Sequence, residues 1–99
     1  MTPIEFYLHD TFTPEWKFIR PILVCLELDE NGTYIVSEKM FLEYGCGPDI
    51  GSAKMDYAAN LISYYSFLSD RRDDADVEYV FRQISKYLVP VEDNDDIPA

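Results

Sequence analysis

Ile22-Leu23-Val24-Cys25-Leu26-Glu27-Leu28-Asp29-Glu30-Asn31-Gly32-Thr33-Tyr34-Ile35-Val36-Ser37 is the stretch on which the fold turns. Its first seven residues are apolar and β-branched enough to read as a strand. Asp29-Glu30-Asn31-Gly32 then supplies a turn, because Asn and Gly both tolerate positive φ and Asn-Gly is a strong local hairpin signal. Thr33 to Ser37 reads as the return strand. A third segment, Lys39-Met40-Phe41-Leu42-Glu43-Tyr44, extends the meander into an antiparallel sheet. Upstream, Ile4-Glu5-Phe6-Tyr7-Leu8 also has strand-like content. The sheet is therefore expected to have three or four strands, with the place of the first twenty residues left open. Trp16, Phe18 and Ile19 suggest an arm packed against the domain.

Downstream, Gly45-Cys46-Gly47-Pro48-Asp49 reads as a turn without regular structure. Ala58, Leu61, Ile62, Tyr65 and Leu68 then recur at three- and four-residue steps, which predicts a helix with Asp49 or Ser52 as its N-cap. Ser69 to Asp74 interrupts the pattern. Val77, Val80, Phe81, Ile84, Tyr87 and Leu88 predict a second helix, closed by Pro90. The order is α+β, with both helices expected on one face of the sheet. Residues 1–90 are expected to form a single domain and residues 91–99, with four carboxylates, an acidic mobile tail.

Ninety-nine residues suffice for one domain. Nineteen acidic against eight basic residues give a formal net charge of -11. Such a surface repels nucleic-acid phosphates and anionic membranes, and attracts a basic protein. It also keeps a small protein soluble. Cys25 and Cys46 form no recognisable disulfide framework, no signal peptide opens the chain, and the longest apolar run is too short to span a bilayer, so a cytoplasmic protein is expected.

No catalytic constellation emerges. His9 is the sole histidine, which leaves no multi-imidazole metal site. Cys46 has no histidine near it in sequence to act as base. The carboxylates lack calcium-loop spacing, and Gly45-Cys46-Gly47 does not extend to a dinucleotide or phosphate-loop fingerprint. The reading is of a non-enzymatic chain with no metal and no cofactor. Tyr57, Tyr64, Tyr65, Tyr79 and Tyr87 read mainly as packing residues, with Tyr64 off the apolar stripe and free to meet a partner.

The stretch from Pro21 to Leu68 resembles the HicB-like antitoxin family, a shortened RNase H-like βββα fold. The residues that carry the resemblance are the hairpin Leu26 to Ser37, the link Gly45-Cys46-Gly47-Pro48-Asp49-Ile50-Gly51-Ser52-Ala53, and the helix segment Asn60 to Leu68. The resemblance implies a cytoplasmic antitoxin that masks a small basic RNA-cleaving toxin. Two departures weaken any implication of transcriptional repression. The chain has an acidic tail where many members carry a DNA-binding module, and Gly51 stands where a glutamate is frequent.

Together these readings give an antitoxin-like binding module that covers the surface of a basic partner. Asp29, Glu30, Glu43, Asp56 and Tyr64 are the candidate contacts. Two other readings compete: a homo-oligomeric module pairing through an edge strand such as Ile4–Leu8, and an acidic mimic of nucleic acid that blocks a DNA- or RNA-binding enzyme.

Overall fold

The computed structural model describes residues 3–9 and 15–90. The expectation for the acidic tail lies outside them. In chain order the elements are β1 (Ile4–Leu8), β2 (Trp16–Phe18), β3 (Ile22–Leu28), β4 (Tyr34–Ser37), β5 (Tyr44–Gly47), α1 (Ile50–Ser69), α2 (Ala75–Ile84) and β6 (Leu88–Pro90). The fold is α+β.

Strands β1, β3, β4 and β5 form an antiparallel sheet in the order β1-β3-β4-β5. Register follows hydrophobic alternation, as it must when one face is buried. Ile22, Val24 and Leu26 of β3 are buried, while the alternating Leu23 and Glu27 are exposed and Cys25 is half-buried. Leu8 stands opposite Ile22, and Val36 opposite Leu26, so the buried side chains of three strands share one face. Helix α1 covers that face with Ala53, Tyr57, Leu61 and Leu68. Asp49 is its N-cap, accepting the Ser52 N–H at 2.7 Å. The segment expected as an arm packs Trp16 and Phe18 against the core and also pairs with residues 88–90. β2 and β6 form an antiparallel ribbon, prolonged by the Ile19 N–H donated to the Tyr87 carbonyl at 2.8 Å.

Three expectations are corrected. The third strand of the meander is Tyr44–Gly47 and not Lys39–Tyr44. Residues 39–43 form a loop instead, because the Glu38 carboxylate takes the backbone N–H groups of Phe41 and Glu43 and folds the chain back. Gly45-Cys46-Gly47, expected as irregular, is strand because its two glycines face α1. A Cβ at Gly45 would stand 2.5 Å from the Tyr57 Cα, and one at Gly47 would stand 2.6 Å from the Ser52 Cβ. Strand and helix meet backbone to backbone there, which is why turn-forming residues occupy a strand.

The second helix ends at Ile84, not at Pro90. The Lys86 and Tyr87 N–H groups bond three residues back, to Gln83 and Ile84, tightening the last turn. Leu88 and Pro90 are then free to pair with Phe18 and Trp16. This helix lies chiefly against α1. Its Phe81 sits 4.9 Å from the Tyr65 ring, which in turn meets Trp16 edge-on at 5.0 Å.

Candidate protein-binding surface

Alternation along the strands also fixes what lies on the sheet's other face. Glu5 and Tyr7 of β1 stand opposite Cys25 and Leu23 of β3. Cys25 and Glu27 stand opposite Ser37 and Ile35 of β4, and these stand opposite Tyr44 and Cys46 of β5. No described helix covers this face. Tyr7 (64%), Leu23 (45%) and Tyr44 (61%) are largely solvent-exposed. A groove of ≈ 290 Å³ runs between Glu5, Leu23, Cys25, Glu27, Ser37 and Met40. An uncovered apolar patch with charged residues at its margin is a common form of protein interface.

The charge around the patch is one-sided. Glu5 and Glu27 flank Cys25 on neighbouring strands, and Asp29 and Glu30 continue the negative surface into the β3–β4 loop. Of the eight lysines and arginines, Lys39 alone lines the groove. Arg71, Arg72, Arg82 and Lys86 lie in or beside α2, where Glu78 pairs with Arg72 at 2.8 Å and Arg82 at 3.2 Å. Those two guanidiniums hold the Glu78 carboxyl below its ordinary range.

The loop between β4 and β5 borders the same face and is built around a buried acid. Glu38 is only 7% exposed. One carboxylate oxygen accepts the Phe41 N–H at 2.7 Å, and the other accepts the Glu43 N–H at 3.2 Å. The Glu38 N–H is donated to the Glu43 carbonyl at 3.1 Å, closing a four-residue loop over 39–42. Phe41 turns into the core against Tyr87, with ring centroids 6.2 Å apart. Leu42, the last of the four residues so enclosed, has φ +60° and is 81% exposed. For a side chain bearing a Cβ, that backbone region costs about 1–2 kcal/mol.

Beneath the loop the Tyr57 hydroxyl is buried without a hydrogen bond of good geometry. Burial, and then the Glu38 charge, push that phenol far above its ordinary value. Partial burial, and then Glu38, also raise the Glu43 carboxyl.

The five residues expected as contacts are spread over the molecule, and most have work inside it. Asp29 accepts the Asn31 and Thr33 N–H groups at 2.9 Å each, and so holds the β3–β4 loop. Glu30 is exposed at the tip of that loop. Glu43 is half-buried in the β4–β5 loop at the opposite end of β4. Asp56 accepts the Cys46 N–H at 2.9 Å, while Asn60, one helical turn on, donates to the Tyr44 carbonyl at 2.7 Å. Together Asp56 and Asn60 close the free edge of β5. Tyr64 is half-buried against the core, two turns along α1 from Tyr57.

Sequence reasoning missed Glu38, Leu42 and the inner-face role of Gly45 and Gly47. Alternate glycines between two β segments were the one available signal for the last pair. Cys46 is exposed on β5, and His9 follows β1 at the other edge of the sheet. Three strand spacings, about 14 Å, separate those edges, so the two residues do not form a dyad. Among the described residues no group of three or more His, Cys, Asp or Glu is placed to hold a metal ion. No helix among them is long and apolar enough to cross a membrane. Comparison with protein-family models, curated proteins and solved structures finds no match to this chain.

Proposed function

We propose that this chain is a non-enzymatic protein-binding module that covers a basic partner with the outer face of its four-stranded sheet. The observation that carries the reading is the uncovered apolar face of Tyr7, Leu23 and Tyr44, edged by Glu5 and Glu27. The carboxylates would steer a Lys/Arg-bearing surface into place and form charge-assisted hydrogen bonds with it. Exposed pairs contribute little each, about 0–1 kcal/mol. The apolar face therefore has to supply most of the affinity.

The HicB-like resemblance adds a finer proposal, in which the partner is a small RNA-cleaving toxin. Arginines and lysines that hold RNA phosphates are the groups such carboxylates would occupy, so binding would block cleavage. The test is capture of partners on the tagged full chain, washed at rising salt, followed by binding of the purified partner to wild type and to a Glu5→Lys/Glu27→Lys variant. A basic protein released by salt, with affinity at least tenfold weaker for the variant, is the expected result. A partner that is acidic, or indifferent to both salt and charge reversal, would sink the proposal.

Self-association is a second reading, favoured by one observation. Side chains of α1 close the β5 edge, but among the described residues nothing pairs with the outer edge of β1. A concentration-dependent mass in sedimentation, abolished by Phe6→Pro, would support it.

A further inference from the structure

The β4–β5 loop holds a leucine where the fold has no use for one. A hairpin loop whose last residue takes positive φ is most cheaply built with glycine or asparagine there, and the β3–β4 loop has Gly32 at φ +84°. In the β4–β5 loop the same position is Leu42, the most exposed large apolar side chain among the described residues. The backbone would be better served by a smaller residue, and the core gains little from a side chain that is 81% in solvent. The segment is nonetheless held firmly. The residues on either side of Leu42 both donate their N–H to the buried Glu38 carboxylate, and Phe41 is anchored in the core.

We infer that Leu42 is a preformed anchor of the partner-binding surface, inserting into an apolar pocket on the basic partner. The inference rests on the binding reading above and adds where its affinity is concentrated. Two observations fix the occupant. In the chain Leu42 lies between Met40, which lines the groove, and Tyr44, which is on the open sheet face, so the loop that carries it borders that surface. Glu5 and Glu27 line the groove with Met40 and Lys39, Glu43 follows Leu42 in the chain, and the whole chain carries -11, which favours a pocket rimmed by Lys or Arg over a second copy of this chain. Holding the loop in its bound shape beforehand removes an ordering cost on association, which makes Glu38 a positioning residue for Leu42.

Two measurements test this on the full chain. Thermal unfolding of Leu42→Asn and Leu42→Gly is expected to give a Tm equal to or above that of wild type. A Tm lower by several degrees in both variants would make Leu42 a structural residue and overturn the inference. A photoreactive benzophenone side chain is then placed at position 42 or, as a control, at position 55 on the exposed side of α1. Irradiation in native extract at low salt is expected to join position 42, but not position 55, to one basic protein. That protein, once purified, should bind Leu42→Asn at least tenfold more weakly than wild type.

An adduct with a second copy of this chain, no adduct specific to position 42, or equal affinity for wild type and Leu42→Asn would each overturn the anchor. The two ideas fail differently. A partner that senses Glu5→Lys/Glu27→Lys but not Leu42→Asn leaves the basic-partner reading standing without its anchor. One that senses Leu42→Asn but neither salt nor charge reversal does the opposite.

Discussion

The two loops that join β3 to β4 and β4 to β5 solve one problem with different materials. Each reverses the chain by letting a carboxylate take two backbone N–H groups, and each ends on a residue with positive φ. In the first loop the acid is Asp29, its bonds lie near the surface, and the last residue is Gly32. In the second the acid is the buried Glu38, and the last residue is Leu42. The first loop closes a hairpin cheaply. The second places a rigid, apolar, outward-facing leucine beside an open sheet face and sacrifices backbone comfort to do so. Backbone strain and a buried carboxylate coincide in the second loop and not in the first.

The largest effect is expected just beyond that second loop. Gly45→Ala sets a methyl group against the Tyr57 backbone, and neither β5 nor α1 can yield without disturbing the core. A loss of about 3 kcal/mol is expected, read as a lower urea midpoint at unchanged slope. Thr33→Ala at the exit of the first loop should cost less than about 1 kcal/mol. Equal losses would mean that the helix does not clamp the second hairpin.

The carboxylates separate the loops next. Glu38→Ala removes both acceptors and leaves the buried Phe41 N–H without a partner, at an expected cost of about 2–3 kcal/mol. Water can replace the acceptor at the more exposed Asp29, so Asp29→Ala should cost about 1 kcal/mol. Chemical denaturation of both variants decides the order, and a reversed order would break the comparison. The glycine comes third. Gly32 has open space around it, so Gly32→Ala meets backbone strain alone and should cost about 1 kcal/mol. Leu42→Asn, at the matching position, should not lose stability at all.

The same contrast explains what the sequence made legible. Ile22 to Ser37 was readable because alternation, β-branched content and Asn-Gly agree on one answer. At Lys39 to Gly47 local signals disagree with the tertiary outcome. Met40, Phe41 and Leu42 have strand-like composition, yet Glu38 bends them into a loop. Gly45 and Gly47 have turn-like composition, yet the approach of α1 makes them strand. In the same way Leu88 to Pro90 lost its helical pattern to pairing with β2, a partner seventy residues away. Asp29 and Asp56 were chosen as contacts because they are acidic, and no local pattern discloses that a carboxylate is already capping a loop or a strand edge. The open face of the sheet was implicit in the alternation of β3, but its extent depended on which strands lay beside it.

The smallest effect is one of pH, and it belongs to the second loop alone. Glu43 has its carboxyl raised above the ordinary 4.5, first by partial burial and then by the Glu38 charge. Protonated Glu43 therefore suits the folded state better than ionised Glu43 does. Its favourable contribution is complete below about 4.5, where the unfolded chain is protonated too, and is lost as pH rises through the higher folded value. Above that value the ionised group opposes folding. Glu43→Gln should thus be more stable than wild type at neutral pH, and its urea midpoint should fall less steeply over the interval just above 4.5. Asp49, held below its ordinary value by the Ser52 N–H at the start of α1, acts in the opposite sense. Its contribution is present above about 3.8 and fades as pH falls. Midpoints collected for wild type and Glu43→Gln at half-unit steps should converge toward the acid end and separate as pH rises. Parallel curves would mean that neither burial nor the Glu38 charge raises the Glu43 carboxyl, and the second loop would then differ from the first in shape but not in charge.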